Sequence, residues 1–193
     1  MNRLAELRGE EGKVYQPAED SHLLAEAAVD AVVEGDLVLD VGTGSGYVGS
    51  YVAAETGARV IGSDRNPHAA RKARDAGLEV ALADLVAPFR DGVFDAVTFN
   101  PPYLPTDPET AGDDWMEAAL SGGESGRAVI DPFLSAVGRV LAPGGVVVLL
   151  ASTLTGVDEV TELAGEAGFS AVAVAEESFP FETLTVLKLL PAP

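Results

Sequence analysis

Asn100-Pro101-Pro102-Tyr103 is the tetrapeptide of this chain with the most chemistry in it. Two consecutive prolines stop a β ladder and fix the backbone around them. So braced, the Asn100 side-chain oxygen and the Pro101 carbonyl oxygen are two acceptors in set directions, suited to the two hydrogens of one NH2 group. The nitrogen of a carboxamide or a nucleobase amine is a poor nucleophile, because its lone pair is delocalised. Acceptors aimed at its hydrogens stabilise the positive charge that gathers on it as a new bond forms. Orientation contributes several kcal/mol more, with ~7–11 kcal/mol as the upper range. A Tyr103 ring stacked on the planar group adds ~0.5–2 kcal/mol of cation–π attraction. The alkylated nitrogen becomes acidic, so no strong base is needed. A loop that only ends a strand could carry the same prolines.

The second feature is the glycine loop in Val38-Leu39-Asp40-Val41-Gly42-Thr43-Gly44-Ser45-Gly46. Glycines let the backbone turn sharply and approach a ligand closely. Gly44-Ser45-Gly46-Tyr47-Val48-Gly49 matches the dinucleotide pattern literally, which leaves NAD open. Asp64 comes about 20 residues after the loop, where a carboxylate accepts from ribose hydroxyls. Asp84 suits an adenine amino group, with Leu85 or Val86 against the ring. Asp40 suits a cationic amino-acid tail and would repel a pyrophosphate. Three acids at three strand ends fit adenosine joined to a cationic methionine. The alternative is that strand-end aspartates cap turns or helices.

The elements that must hold these residues follow from periodicity. Helices are expected over Glu19–Val33, Tyr47–Glu55, Pro67–Ala76, Asp114–Leu120, Gly126–Leu141 and Val157–Ala167. Strands are expected over Asp36–Val41, Arg59–Ser63, Glu79–Ala83, Phe94–Phe99, Gly145–Ala151, Ser170–Glu176 and Thr183–Leu189. Strand–helix alternation requires crossovers and a mostly parallel sheet. The last two strands have no helix between them and read as an antiparallel hairpin turning near Phe179 to Phe181. The fold class is α/β: seven strands, mostly parallel, helices on both faces, one C-terminal hairpin. The glycine loop and Asn100 then flank a topological switch point.

The 193 residues suit a single domain, 1–193, with a short helical extension over 1–35 ahead of the first strand. No apolar run reaches the ~18 residues of a membrane span, and Met1 to Gly12 lacks a signal-peptide core, which points to the cytoplasm. Without cysteine there are no disulfides or thiolate metal sites. His22 and His68 belong to no metal-ligand motif, so no metal is expected. Acidic residues number 31 against 12 Lys and Arg, for a net charge of −19. The acids are scattered, which favours adaptation to high salt over an acidic docking tail. That charge also disfavours bare nucleic acid as a direct partner. Arg65, Arg71 and Arg74 read as a solvated helix face, and Trp115 and Met116 suit either a substrate rim or core packing.

With both motifs in place, the chain resembles the HemK-like class I methyltransferases, with a Rossmann-like sheet, and in particular the short archaeal and eukaryotic release-factor glutamine methyltransferases. The resemblance runs from about Val14 to the end. It includes Val14-Tyr15-Gln16-Pro17-Ala18-Glu19-Asp20-Ser21, Asp64-Arg65-Asn66-Pro67 and Ala118-Ala119-Leu120-Ser121-Gly122-Gly123-Glu124-Ser125-Gly126. It implies S-adenosyl-L-methionine as cofactor, S-adenosyl-L-homocysteine as product, and the Gly-Gly-Gln glutamine of a class I release factor as acceptor. Carried over by position, Asn100, Pro101 and Tyr103 hold the amide. Asp40, Gly42, Gly44, Asp64, Arg65, Asp84, Leu85 and Asn100 surround the cofactor, and Tyr15, Pro17 and Asp20 lie over it or over the substrate entrance. Bacterial members carry a separate N-terminal helical domain, for which about 35 residues leave no room. The short enzymes bind a small zinc-binding activator subunit instead, which implies a heterodimer. In this fold order Glu79–Ala83 is an edge strand, where Val80 and Leu82 could sit beneath a partner that extends the sheet; the alternative is an edge left in solvent, with Glu79 discouraging pairing. The rival acceptors are adenine N6 or guanine N2 of RNA or DNA, since Asn-Pro-Pro-Tyr serves them equally. An NAD-dependent oxidoreductase and a non-catalytic scaffold are the other readings.

Overall fold

In Leu37–Val41 (β1) every position but the first is buried, as a strand covered on both faces must be. Leu39 and Val41 enter one core cluster and Val38 the other, following the two-residue period of a strand. The computed structural model describes residues 14–107 and 115–192. Before β1 lies α1 (Glu19–Val29); after it come α2 (Tyr47–Thr56), β2 (Arg59–Asp64), α3 (Pro67–Asp75), β3 (Glu79–Leu82) and β4 (Phe94–Phe99). Then follow α4 (Trp115–Leu120), α5 (Ile130–Val137), a 3-10 turn over Gly138–Val140, β5 (Leu141–Ser152), α6 (Val157–Glu166), β6 (Phe169–Ser178) and β7 (Thr183–Pro191).

The seven strands form one sheet in the order β3-β2-β1-β4-β5-β7-β6. The first five are parallel; β7 runs antiparallel to both β5 and β6. One face is closed by α5 and α6, where Phe99 and Phe133 lie 4.4 Å apart between ring centroids. The other is closed by α1 and α2 through Leu24, Val48 and Val52 against Val38, Val148 and Val186. Each fully buried side chain of this kind contributes ~1.5–3 kcal/mol. Asn66 caps α3, its side chain accepting from His68 N with Pro67 in the first turn. No helix among the described residues is long and apolar enough to cross a membrane.

Most boundaries move by a residue or two from the periodicity, and three larger shifts have a visible cause. α1 stops at Val29 rather than Val33, because a turn with Gly35 at φ 94 follows and the Asp36 carboxylate accepts from Val33 N. α5 starts at Ile130 rather than Gly126, because Gly126 N and Ala128 N donate to Gly123 O and Gly122 O and so hold the preceding loop. β5 starts at Leu141 rather than Gly145, because Leu141 pairs with Phe94 ahead of a register shift. Of the expected extension over 1–35, residues 1–13 lie outside the described part, as does Asp114 of the expected helix Asp114–Leu120.

Candidate active site

β1 and β4 are adjacent and parallel, with Val41 opposite Phe99. The residues that follow, Gly42 and Asn100, therefore emerge side by side at the carboxyl end of the sheet, where the strand order reverses. One cavity opens there. Tyr15, Pro17, Asp20, Asp40, Gly42, Gly44, Asp64, Arg65, Asp84, Leu85, Asn100, Pro101 and Tyr103 all border it. Residues from four strand ends and the segment ahead of α1 thus meet at one place.

The glycine loop is held from beneath. Asp40 shares a sheet face with Thr98, since its strand neighbours Leu39 and Val41 point the other way. Its Oδ2 accepts from Thr43 Oγ1 at 2.6 Å and Gly49 N at 3.1 Å; its Oδ1 accepts from Thr98 Oγ1 at 2.8 Å. The sequence reading gave Asp40 to a cationic tail. In the fold its oxygens brace the loop as well, so any pull on a ligand cation acts from a carboxylate already anchored. Burial raises its pKa to about 6 against the opposing hydrogen bonds, and the neighbouring Asp64 adds to the rise. Burial also raises the pKa of Asp64, countered by backbone N–H donors. Asp64 Oδ2 accepts from Gly44 N at 2.9 Å and Oδ1 from Asn66 N at 2.8 Å.

Gly44 has φ 56, and a Cβ there would meet only Gly42 O at 3.8 Å. A side chain would reach into the open space a ligand needs, so the loop fits a group laid against its backbone. Leu85, just past β3, has φ 47; among the described residues it is the one non-glycine in the left-handed region. Such backbone costs ~1–3 kcal/mol and is found where a site demands it. Asp84 and Arg65 are exposed at the rim. The Tyr15–Pro17 strap is tied down by Lys72 Nζ donating to Gln16 Oε1 at 3.1 Å and Tyr15 OH donating to Asp20 Oδ2 at 3.0 Å.

At the Asn-Pro-Pro-Tyr turn, Asn100 Oδ1 is buried and has no hydrogen-bond partner among the described residues. Its Nδ2 donates to Ser21 Oγ at 3.5 Å. Tyr103 is only 3% exposed and packs into the core on the α1–α2 side while bordering the cavity. The following residues pin the rim. Leu104 N donates to Leu120 O, Gly122 N to Leu104 O and Thr106 N to Gly123 O. Trp115 borders the cavity and Met116 is buried, so the two readings of that pair divide between them.

Sequence reasoning passed over Thr98 and Ser21. Thr98 had a signal: it is a hydroxyl in a strand otherwise apolar after Asp95. Ser21 had none that spacing alone could supply.

Gly126 locks this rim. Its φ is 75, and a Cβ would lie 2.7 Å from Tyr103 O and 2.9 Å from Thr155 Cγ2. Gly126→Ala is expected to lower Tm by roughly 4–8 °C, for ~2 kcal/mol of strain, and to cut turnover more than about tenfold by shifting the Tyr103 backbone. Gly144, at φ 84 with nothing within 4 Å of its Cβ position, is the control. Gly144→Ala should cost stability alone. Equal turnover in the two variants would show that the rim does not position the turn.

A methyltransferase-domain family model matches residues 38–123. The chain is 35% identical over 181 residues to the Methanocaldococcus jannaschii protein named as a protein N5-glutamine methyltransferase, covering 91% of this chain and 90% of that one. It is 32% identical over 195 residues to human methyltransferase HEMK2, covering 94% and 91%. The E. cuniculi Mtq2–Trm112 complex, described as responsible for methylation of the eRF1 translation termination factor, matches with a TM-score of 0.78 at 29% identity, covering 94% of this chain and 100% of that one. Sheet, glycine loop and cavity together define a methyltransferase with a Rossmann-like fold. Within that class, the chain belongs to the HemK-like protein N5-glutamine methyltransferase family.

Proposed function

We propose that this chain methylates the side-chain amide nitrogen of a glutamine, that of the Gly-Gly-Gln loop of a class I translation release factor, with S-adenosyl-L-methionine as donor. The carrying observation is Asn100 Oδ1, a buried acceptor without a partner among the described residues, on a residue that borders the same cavity as the glycine loop. A buried polar atom left unsatisfied costs about 1–3 kcal/mol, a cost retained where a ligand completes it. A primary amide brings two N–H donors, one for Asn100 Oδ1 and one for the Pro101 carbonyl.

When bound, the cofactor supplies an electrophilic methyl group and takes back the carbon–sulfur electron pair. The chain does the rest by placement. The proline-braced acceptors hold the amide hydrogens and stabilise the charge that develops on nitrogen. One of the two protons leaves after the new N–C bond has formed. Asp64 suits the ribose hydroxyls, Asp84 and Leu85 the adenine, and Asp40 the cationic end.

A small activator subunit fits the β3 edge, as the E. cuniculi relative stands in complex with Trm112. Leu82 is 59% exposed there. Arg74 Nη2 donates to Val80 O, and Glu79 is held sideways by Arg59 in a paired contact at 2.9 and 2.8 Å. Glu79 therefore does not itself block an added strand, and Arg74 would yield the Val80 carbonyl to it. A cytoplasmic setting follows from a release-factor substrate.

Labelled cofactor offered in high salt, with the activator present, to release factor, tRNA, rRNA and DNA tests the acceptor. Label is expected on the release factor and lost when its Gly-Gly-Gln glutamine is replaced by alanine. Label on nucleic acid alone would overturn the proposal.

A further inference from the structure

A side-chain amide has two ends of nearly equal size and opposite chemistry. Asn100 can take a substrate N–H only if its oxygen, and not its NH2, is left for the substrate. A chain of three contacts bears on this choice. Nδ2 of Asn100 donates to Ser21 Oγ over 3.5 Å, a long contact, while Oδ1 has no partner among the described residues. The Ser21 hydroxyl has a single proton, and it goes to Asp20 Oδ1 at 3.2 Å. The same oxygen accepts from Ser21 N at 2.6 Å, which fixes the carboxylate against the first turn of α1. Asp20 Oδ2 takes the Tyr15 hydroxyl at 3.0 Å. Asp20 and Ser21 are 3% and 6% exposed, so water does not compete freely for these groups.

A carboxylate accepts and cannot donate, so it sets the direction of every hydrogen along the chain. Ser21 must give its proton to Asp20 and present a lone pair to Asn100. Asn100 must answer with an N–H, which leaves Oδ1 as the buried acceptor without a partner among the described residues, on a residue that borders the cavity. With Ser21 absent, either amide orientation is allowed, and one of them aims N–H groups at the N–H groups of the substrate. We propose that Ser21, held by Asp20, is a positioning residue that selects the amide orientation of Asn100. The inference deepens, and rests on, the reading of Asn100 as the acceptor of the substrate NH2 group. It also gives Asp20, expected from the family resemblance to lie over the cofactor or entrance, a definite task toward the reacting end of the cavity.

Ser21→Ala, assayed with the activator and a release factor carrying the Gly-Gly-Gln loop, is expected to lower kcat about tenfold. KM for the release factor and the dissociation constant of S-adenosyl-L-homocysteine should stay close to wild type, while Tm falls by about 2–4 °C for the lost buried hydroxyl contacts. Ser21→Thr, which keeps a hydroxyl, should recover kcat to within about threefold. The side-chain 15N–1H signals of Asn100 report the orientation directly and should shift in Ser21→Ala. Wild-type kcat in Ser21→Ala overturns the proposal. So does a lowered kcat with the Asn100 signals unmoved, which would mark a general loss of packing. Asn100→Ala run alongside separates the two levels: an inactive Asn100→Ala beside a fully active Ser21→Ala removes only the positioning role, whereas an active Asn100→Ala removes the reading beneath it.

Discussion

Asn100→Ala will lower methyl transfer by at least about 10²–10³-fold while leaving cofactor affinity within about twofold. The size follows from the stage at which the contact matters. The amide nitrogen is nearly neutral before reaction and gains charge as the methyl arrives, so an acceptor on its hydrogen strengthens toward the transition state. Such an interaction appears in kcat more than in KM. The variant should also melt no lower than wild type. Asn100 Oδ1 has no partner among the described residues, and its Nδ2 makes only a 3.5 Å contact, so alanine removes an unsatisfied buried acceptor at little cost. Most active-site truncations of a partly buried residue would not leave stability intact, which makes the pairing diagnostic. Steady-state kinetics with calorimetric titration of S-adenosyl-L-homocysteine and a thermal melt are the measurements. Normal turnover would remove Asn100 from the chemistry, and lost turnover with an equal loss of Tm would make its role structural.

The second large effect is a pair of opposed pH dependences at Asp40. Its folded pKa is raised from 3.8 to about 6, chiefly by burial. Between those values the folded protein binds more protons than the unfolded chain, so the stability contribution of Asp40 is complete below about pH 4 and is lost as pH rises through about 6. The loss is on the order of 3 kcal/mol, for about two units at ~1.36 kcal/mol each. Cofactor affinity runs the other way. A cationic amino-acid tail favours the ionised carboxylate, so binding should weaken about threefold to tenfold between pH 7 and pH 5. Asp40→Asn keeps an acceptor for Thr43 and Gly49 and lets the amide donate to Thr98, so the fold survives while both slopes flatten. The difference between variant and wild type isolates Asp40 from the other acids of this chain. Calorimetric titrations at pH 5, 6 and 7 test affinity, and urea unfolding across the same range tests stability. An affinity slope that persists in Asp40→Asn would show that its charge does not draw the cofactor.

Much of this was written locally in the chain. Alternating strand and helix periods marked out every strand that the sheet contains, and β4 was placed at Phe94–Phe99 to the residue. Gly42-Thr43-Gly44 and Asn100-Pro101-Pro102-Tyr103 announced themselves because short-range sterics, glycine freedom and proline rigidity act within a few residues. The hairpin was legible because no helix separates its strands. Element ends were less so: α5 loses its first four expected residues because their N–H groups serve a loop, and periodicity counts side chains rather than backbone bonds.

What the sequence determined by itself was which segments become strands, which loops lack side chains, and which oxygens sit on a rigid corner. Only the tertiary structure decided who faces whom. Thr98 reaches Asp40 from 58 residues away and Ser21 reaches Asn100 from 79, because crossover connections lay β4 against β1 and α1 packs on a sheet face with its first turn beside Asn100. Hydrogen-bond partners so distant leave no period in the chain. Their directionality, which turns one amide the right way round, exists only once folding has brought donor and acceptor within reach.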